Sequence, residues 1–220
     1  MPSKYVTVGG TAVHCLHTGP TTLPDAPPAL ERGRLFLLLH AAGSNAGLWR
    51  SQLEAAGREH SALAPDLPGH GRSSGIEGLP TVEAYADFVL APETIAGCRD
   101  VMCGRLPQQF TTETFSPATG LEIMRQAWTE QVKTDPRVRY TDLLACQAFD
   151  GRPLLGRVRS PTLVVAGADD QVTPVGCAEE LARGIAGARL EVIPHAGHQA
   201  PLEQADAFDR LVAGFAAELP

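Results

Sequence analysis

Apolar and polar positions fall into two textures along this chain. Near the N-terminus, residues 5–8 and 12–17 are rich in β-formers and are separated by Gly9-Gly10, a pattern that predicts a hairpin. The continuous apolar run Leu35-Phe36-Leu37-Leu38-Leu39 predicts a parallel strand buried on both faces. After a turn at residues 41–44, a helical spacing places Trp49 and Leu53 on one side, with Ser44 as its expected cap. Residues 62–67 predict a further strand, closed by Pro68-Gly69-His70-Gly71, and Thr81 opens a helix through Val82, Tyr85 and Val89.

From Ala91 to Arg157 the texture changes to helix after helix with no strand. Pro92 suits a first helical position, and Thr119-Gly120-Leu121-Glu122 has capping-box spacing ahead of Met124 and Trp128. Asp135-Pro136 opens another helix, which is expected to bury Val138, Leu144 and Ala148. The α/β rhythm resumes with a strand at residues 162–166, a helix from Pro174, a strand at 189–193 and a last helix from about Asp206. The pattern predicts an α/β core over residues 1–90 and 158–220, with a helical insertion over 91–157.

Composition narrows the functional classes. The chain has 220 residues, 44% hydrophobic and 20% charged, enough for one globular domain with a small insertion. A net charge of −7 with scattered arginines argues against a nucleic-acid partner. No basic-then-apolar leader and no run of eighteen apolar residues can be read, so the expectation is a cytoplasmic protein without a membrane span.

Five dispersed cysteines (Cys15, Cys98, Cys103, Cys146 and Cys177) then read as reduced thiols, with Cys98 and Cys103 packing on a helix rather than binding zinc. His14 and His17 fall on opposite faces of a strand, and His195 and His198 have no third ligand near in sequence. No metal or cofactor is expected.

The candidate chemistry lies beyond two strands. The strand at 162–166 delivers Gly167-Ala168-Asp169-Asp170, and the strand at 189–193 delivers His195-Ala196-Gly197-His198. Carboxyl ends of parallel strands are where open α/β sheets place their sites. An aspartate that orients a histidine and stabilises its imidazolium is the supporting half of a nucleophilic triad. The plainer alternative makes Asp170 a cap for the helix near Pro174 and His198 a loop histidine. Spacing alone does not choose Asp170 over Asp169.

The chain resembles the α/β-hydrolase superfamily of the type with a helical cap. The matching pieces are Leu37-Leu38-Leu39-His40-Ala41-Ala42-Gly43-Ser44, the run from Pro65 to Ser74, the loop from Gly167 to Pro174, and Gly197-His198 with Pro201-Leu202-Glu203-Gln204. The resemblance implies Asp170 as the triad acid, His198 as the base and the backbone N–H of Ala42 as an oxyanion donor. It also implies a mostly parallel central sheet with flanking helices, a cap over residues 91–157, and a small-molecule ligand or substrate of the ester or lactone class.

One departure dominates. After Val89-Leu90 relatives continue into a buried strand, a Gly-x-Ser-x-Gly elbow, a helix and another strand, whereas this chain passes to Ala91-Pro92-Glu93-Thr94. Roughly fifty residues of that unit and its flanks are absent. The nucleophile is therefore unknown, and the second oxyanion donor is lost with it.

Gly71-Arg72-Ser73-Ser74-Gly75 matches the elbow string, but Pro68-Gly69 ends the strand before it, and Gly75, Gly78 and Pro80 oppose a helix after it. The sequence thus predicts lost or severely reduced hydrolysis, with no hydroxyl or thiol on a tight bend within bonding reach of the His198 ring. The rivals are an active hydrolase using a displaced nucleophile such as Ser73, a non-catalytic small-molecule-binding or oligomerising relative, and an internally deleted or faulty gene model. Loss of two strands would leave apolar edges at residues 35–39 and 162–166. The expectation is their closure into a contracted sheet of about six strands, with homo-oligomerisation through exposed edges as the alternative.

Overall fold

The structure, a computed structural model, describes residues 1–8, 11–20, 28, 30–73 and 112–219. The expected helix from Thr81, Pro92 and the thiols Cys98 and Cys103 lie outside the described residues. The described residues form two compact units. One comprises residues before 74 together with 127–148, and the other comprises 112–126 and 149–219. Among the described residues, no helix is long and apolar enough to cross a membrane.

In the first unit, β1 (Ser3–Val8) and β2 (Thr11–His17) form the antiparallel hairpin read from the sequence. β3 (Leu35–Leu37) pairs in parallel with β4 (Ser61–Pro65), and β4 runs antiparallel to β2, giving the order β1-β2-β4-β3. A 3₁₀ turn at Ala46–Trp49 leads into α1 (Arg50–Ala56). Leu16, Ala46, Leu53, Ala62 and Ala64 form the core, with Phe36, Leu38 and Trp49 packed on it.

The apolar run at β3 corrects the expectation of burial on both faces. Phe36 and Leu38 turn to the core, while Leu35, Leu37 and Leu39 are 58%, 58% and 51% exposed. A strand alternates its side chains, and the described residues supply a core on one face. The cap differs too. Asn45 rather than Ser44 accepts the Gly47 N–H, at 2.9 Å, because the helical turn begins one residue later than the spacing suggested.

The described part of the helical segment contains α2 (Leu121–Gln131), α3 (Pro136–Ala148) and a 3₁₀ helix at Arg152–Arg157. Asp135 caps α3 through the Arg137 N–H at 2.8 Å. Val138 is buried as expected, but Leu143 and Cys146 are buried in place of Leu144 and Ala148, so the inward stripe is rotated. Thr119 does not close a capping box, since its hydroxyl donates to Glu203 at 2.5 Å.

In the second unit β5 (Leu163–Gly167) and β6 (Arg189–Ile193) pair in parallel, with α4 (Val175–Gly184) between them in sequence. The short α5 (Ala200–Glu203) and α6 (Ala205–Glu218) follow. Ile193, Ala196 and Ala200 form the core with Val165, Ala207, Phe208 and Leu211.

The α/β class therefore stands, and the strand directions differ from those of a mostly parallel sheet. The six described strands pair as a sheet of four within the first unit and a sheet of two within the second. Two strand pairings are parallel and two antiparallel, because the N-terminal hairpin adds to the parallel β3–β4 pair through β2.

Candidate functional site

Parallel pairing of β5 with β6 sets Gly167 opposite Ile193, so the loops leaving both strands start side by side. Their backbones are tied together. Ala168 N–H donates to Ile193 C=O at 2.9 Å, and Asp169 N–H to Ala196 C=O at 2.8 Å. This approach requires glycine. A Cβ on Gly167 would overlap the carbonyl oxygens of Ala196 and Gly197, and one on Gly197 would meet the Phe115–Ser116 backbone at 2.7 Å.

The approach brings Asp170 and His198 together. Asp170 Oδ2 faces His198 Nδ1 at 3.0 Å, with side chains 7% and 18% exposed respectively. Asp170 Oδ1 accepts the N–H groups of Val172 and Thr173 at 2.8 and 2.9 Å. One carboxylate thus anchors the turn before α4 and faces the imidazole, while α4 itself starts after Pro174 without a side-chain cap, so Asp170 is not the cap of that helix. Burial pushes its carboxyl pKa up, but the hydrogen bonds from His198 and from Thr173 outweigh this and hold it below the ordinary aspartate value. Asp169 is occupied elsewhere, accepting the Ser116 hydroxyl at 2.5 Å.

Thr173 corrects the expectation of no hydroxyl near the ring. Its Oγ1 lies 3.2 Å from His198 Nδ1, in a bend. Nδ1 is the nitrogen that faces the acid, and the Thr173 hydroxyl proton is directed to Asp170 Oδ2 at 2.8 Å. A hydroxyl in that place supports the carboxylate. It does not hand a proton to the nitrogen that serves a nucleophile. Its place in the matching loop, three residues after the acid, was its only sequence signal.

The remaining sequence candidates belong to the first unit. Ala42 lies in the turn closed by Ser44 N–H donating to Ala41 C=O at 3.1 Å, and the next residue, Gly43, donates its N–H to Asp142 Oδ2 at 2.8 Å. The Ser73 hydroxyl accepts the backbone N–H of His14 at 2.8 Å and donates to the carbonyl of Asp66 at 2.5 Å. It therefore ties β2 to the segment after β4. Cys15 and Cys146 are buried free thiols, and burial followed by the charge of Asp66 raises Cys15 to about 11. Neither is an activated nucleophile. Among the described residues no cluster of three metal-ligating side chains occurs.

Fold and site together define an α/β protein with an aspartate–histidine pair at the carboxyl ends of neighbouring parallel strands. A family model for the alpha/beta hydrolase fold matches residues 90–205, and a second, for the alpha/beta hydrolase family, matches residues 36–104. The first covers more than half of the chain, and the chain belongs to the α/β-hydrolase fold family.

Solved structures have the same fold. A thermophilic esterase from Thermogutta terrifontis aligns with a TM-score of 0.76 at 20% identity, over 98% of this chain and 97% of that chain. The enol-lactonase from Burkholderia xenovorans LB400 aligns with a TM-score of 0.72 at 22% identity, over 97% and 100%.

Among characterised sequences, the 2-hydroxy-6-oxo-6-phenylhexa-2,4-dienoate hydrolase of Burkholderia cepacia is 34% identical over 101 residues, covering 44% of this chain and 35% of that protein. The 2-hydroxy-6-oxononadienedioate/2-hydroxy-6-oxononatrienedioate hydrolase of Klebsiella pneumoniae is 41% identical over 68 residues, covering 31% and 24%. The chain thus matches a quarter to a third of the length of these relatives.

Proposed function

We propose that this chain is a capped small-molecule hydrolase relative of the ester and lactone class that keeps the acid and base of its triad and lacks the nucleophile. In this reading Asp170 holds His198 through Nδ1, residues 91–157 form the cap, and Ala42 N–H is the surviving oxyanion donor. The reading calls for no cofactor and for a cytoplasmic setting. The carrying observation is the Asp170–His198 pair at 3.0 Å, in a chain with no strand–Gly-x-Ser-x-Gly–helix unit legible between its first strands and that pair. With the elbow serine absent from the sequence, this reading leaves only the background due to binding and polarisation, on the order of 10⁶-fold below the rate of an intact triad.

Incubation with a fluorophosphonate, followed by mapping of the adduct, tests this beside a panel of esters and lactones. The expected result is no adduct and turnover at background. Labelling of Ser73 or another hydroxyl, with turnover that His198→Ala abolishes, would establish a displaced nucleophile instead. Support for the displaced reading comes from the hydrolase names of the relatives. Support against Ser73 comes from its hydroxyl bonds to the His14 and Asp66 backbone.

A further inference from the structure

Glu203 belongs to the last sequence motif shared with the family, and the proposed chemistry gives it no part. It stands at the end of α5, five residues beyond His198, and is 7% exposed. Its Oε1 accepts the N–H groups of Gly197 and Gln199, both at 3.0 Å. Its Oε2 accepts the Ser116 N–H at 2.7 Å, the Gly197 N–H at 3.1 Å and the Thr119 hydroxyl at 2.5 Å. A buried carboxylate is costly unless hydrogen bonds to the charged form replace its water, and here backbone N–H groups supply most of them.

The arrangement of those donors is informative. Gly197 and Gln199 are the residues on either side of His198, so one carboxylate grips the backbone on both sides of the imidazole. Ser116 belongs to the segment whose Thr114 carbonyl accepts the His198 N–H at 2.8 Å. The His198 backbone is thereby held from both flanks and from its own amide, and Gly197 is pressed against Phe115 and Ser116. A ring carried by a loop keeps a fixed hydrogen bond only if the loop backbone is fixed first.

We propose that Glu203 is the positioning residue of His198: through the amides of Gly197, Gln199 and Ser116 it sets the loop so that Nδ1 meets Asp170. The role deepens the proposed reading of Asp170 and His198 as the surviving acid and base, and rests on it. It requires no turnover, so it can be read spectroscopically.

The low-field proton resonance of the His198 Nδ1–H is the probe, recorded on the full chain well below its melting temperature. Wild type should show a low-field signal that D170N removes. E203A should lose the signal while the amide spectrum remains that of a folded protein. E203Q keeps the shape but offers one acceptor oxygen and an unwanted donor to four donor groups, so the signal should broaden and the Gly197 and Gln199 amides should exchange roughly tenfold faster. Loss of global stability alone would leave the signal intact below the melt.

A wild-type spectrum without a D170N-sensitive signal sinks the Asp170–His198 pairing and the positioning role with it. A signal present in wild type, removed by D170N, and unchanged in every folded Glu203 variant sinks the positioning role alone. Should E203A fail to fold, the E203Q signal and exchange rates decide the matter by themselves.

Discussion

The two units contain histidine–carboxylate pairs of nearly the same geometry in very different surroundings. In the first unit His70 Nε2 lies 2.7 Å from Asp142 and His14 Nδ1 lies 2.8 Å from Asp66, with side chains 0% and 0%, and 5% and 4% exposed. In the second, His198 Nδ1 lies 3.0 Å from Asp170, and the imidazole keeps 18% of its surface open. Distance therefore does not mark a site. What separates the pairs is placement, since Asp170 and His198 leave the carboxyl ends of adjacent parallel strands, whereas Asp142 reaches from α3 onto the turn at Gly43. The first unit uses the acid–histidine bond to hold a fold together, and the second keeps one at an accessible edge.

Paired substitutions should break the comparison most sharply. D142A removes the acceptor shared by Gly43 N–H and His70 inside a fully buried cluster, and is expected to cost about 3–5 kcal/mol in denaturant unfolding. D170A, at a partly open edge, is expected to cost about 1–2 kcal/mol. Equal losses would show that the pairs do the same work.

The acid limb sharpens the same contrast. His40 is buried, donates Nδ1–H to the Ala41 carbonyl at 2.9 Å and accepts the Leu67 N–H on Nε2 at 3.0 Å, a pattern that only the neutral ring satisfies. Burial lowers its pKa from 6.5 to about 4, with the carbonyl of Ala41 and the charges of Asp66 and Asp142 opposing and the neighbouring His70 adding to the effect. The unfolded chain then binds the extra proton first as the pH falls. The stabilisation is present above pH 6.5 and is lost between 6.5 and 4, up to about 3 kcal/mol. His40→Gln should flatten that window. Asp66 and Asp170, both held below the ordinary aspartate value, act in the window below it. A melt unchanged from about pH 7 to about pH 4.5 would contradict the neutral buried ring.

An effect of the same size as that at Asp170 is expected at Ser73. Ser73→Ala leaves the Asp66 carbonyl and the His14 N–H each short of a partner, so unfolding should show a loss of about 1–2 kcal/mol with fluorophosphonate reactivity unchanged. A drop in reactivity without a loss of stability would make Ser73 the nucleophile.

Much of this was legible along the chain, and the misses have a common form. The hairpin, the helix carrying Trp49, and strands β4, β5 and β6 announce themselves through apolar spacing and Gly or Pro punctuation, which are local properties. Asp170 and His198 were legible because each closely follows a strand, and strand ends are where sites collect. Thr173 and Glu203 lie inside pieces that match the family, but nothing along the chain gave either a contact, and Asp142 gave no signal. Asp142 reads as a polar position on a helix, and nothing near it in sequence predicts Gly43 or His70, which lie 99 and 72 residues away.

The sequence by itself determined the element types, the α/β class and the presence of an acid loop and a histidine loop, because backbone preference and apolar periodicity act over a few residues. Only the tertiary structure decided that Asp170 rather than Asp169 meets the imidazole, that Asn45 rather than Ser44 caps, that Leu35 and Leu37 are open, and that the described strands pair as a sheet of four and a sheet of two. Those outcomes depend on which distant groups come within about 3 Å of one another, and hydrogen bonding at that range is set by packing rather than by order along the chain.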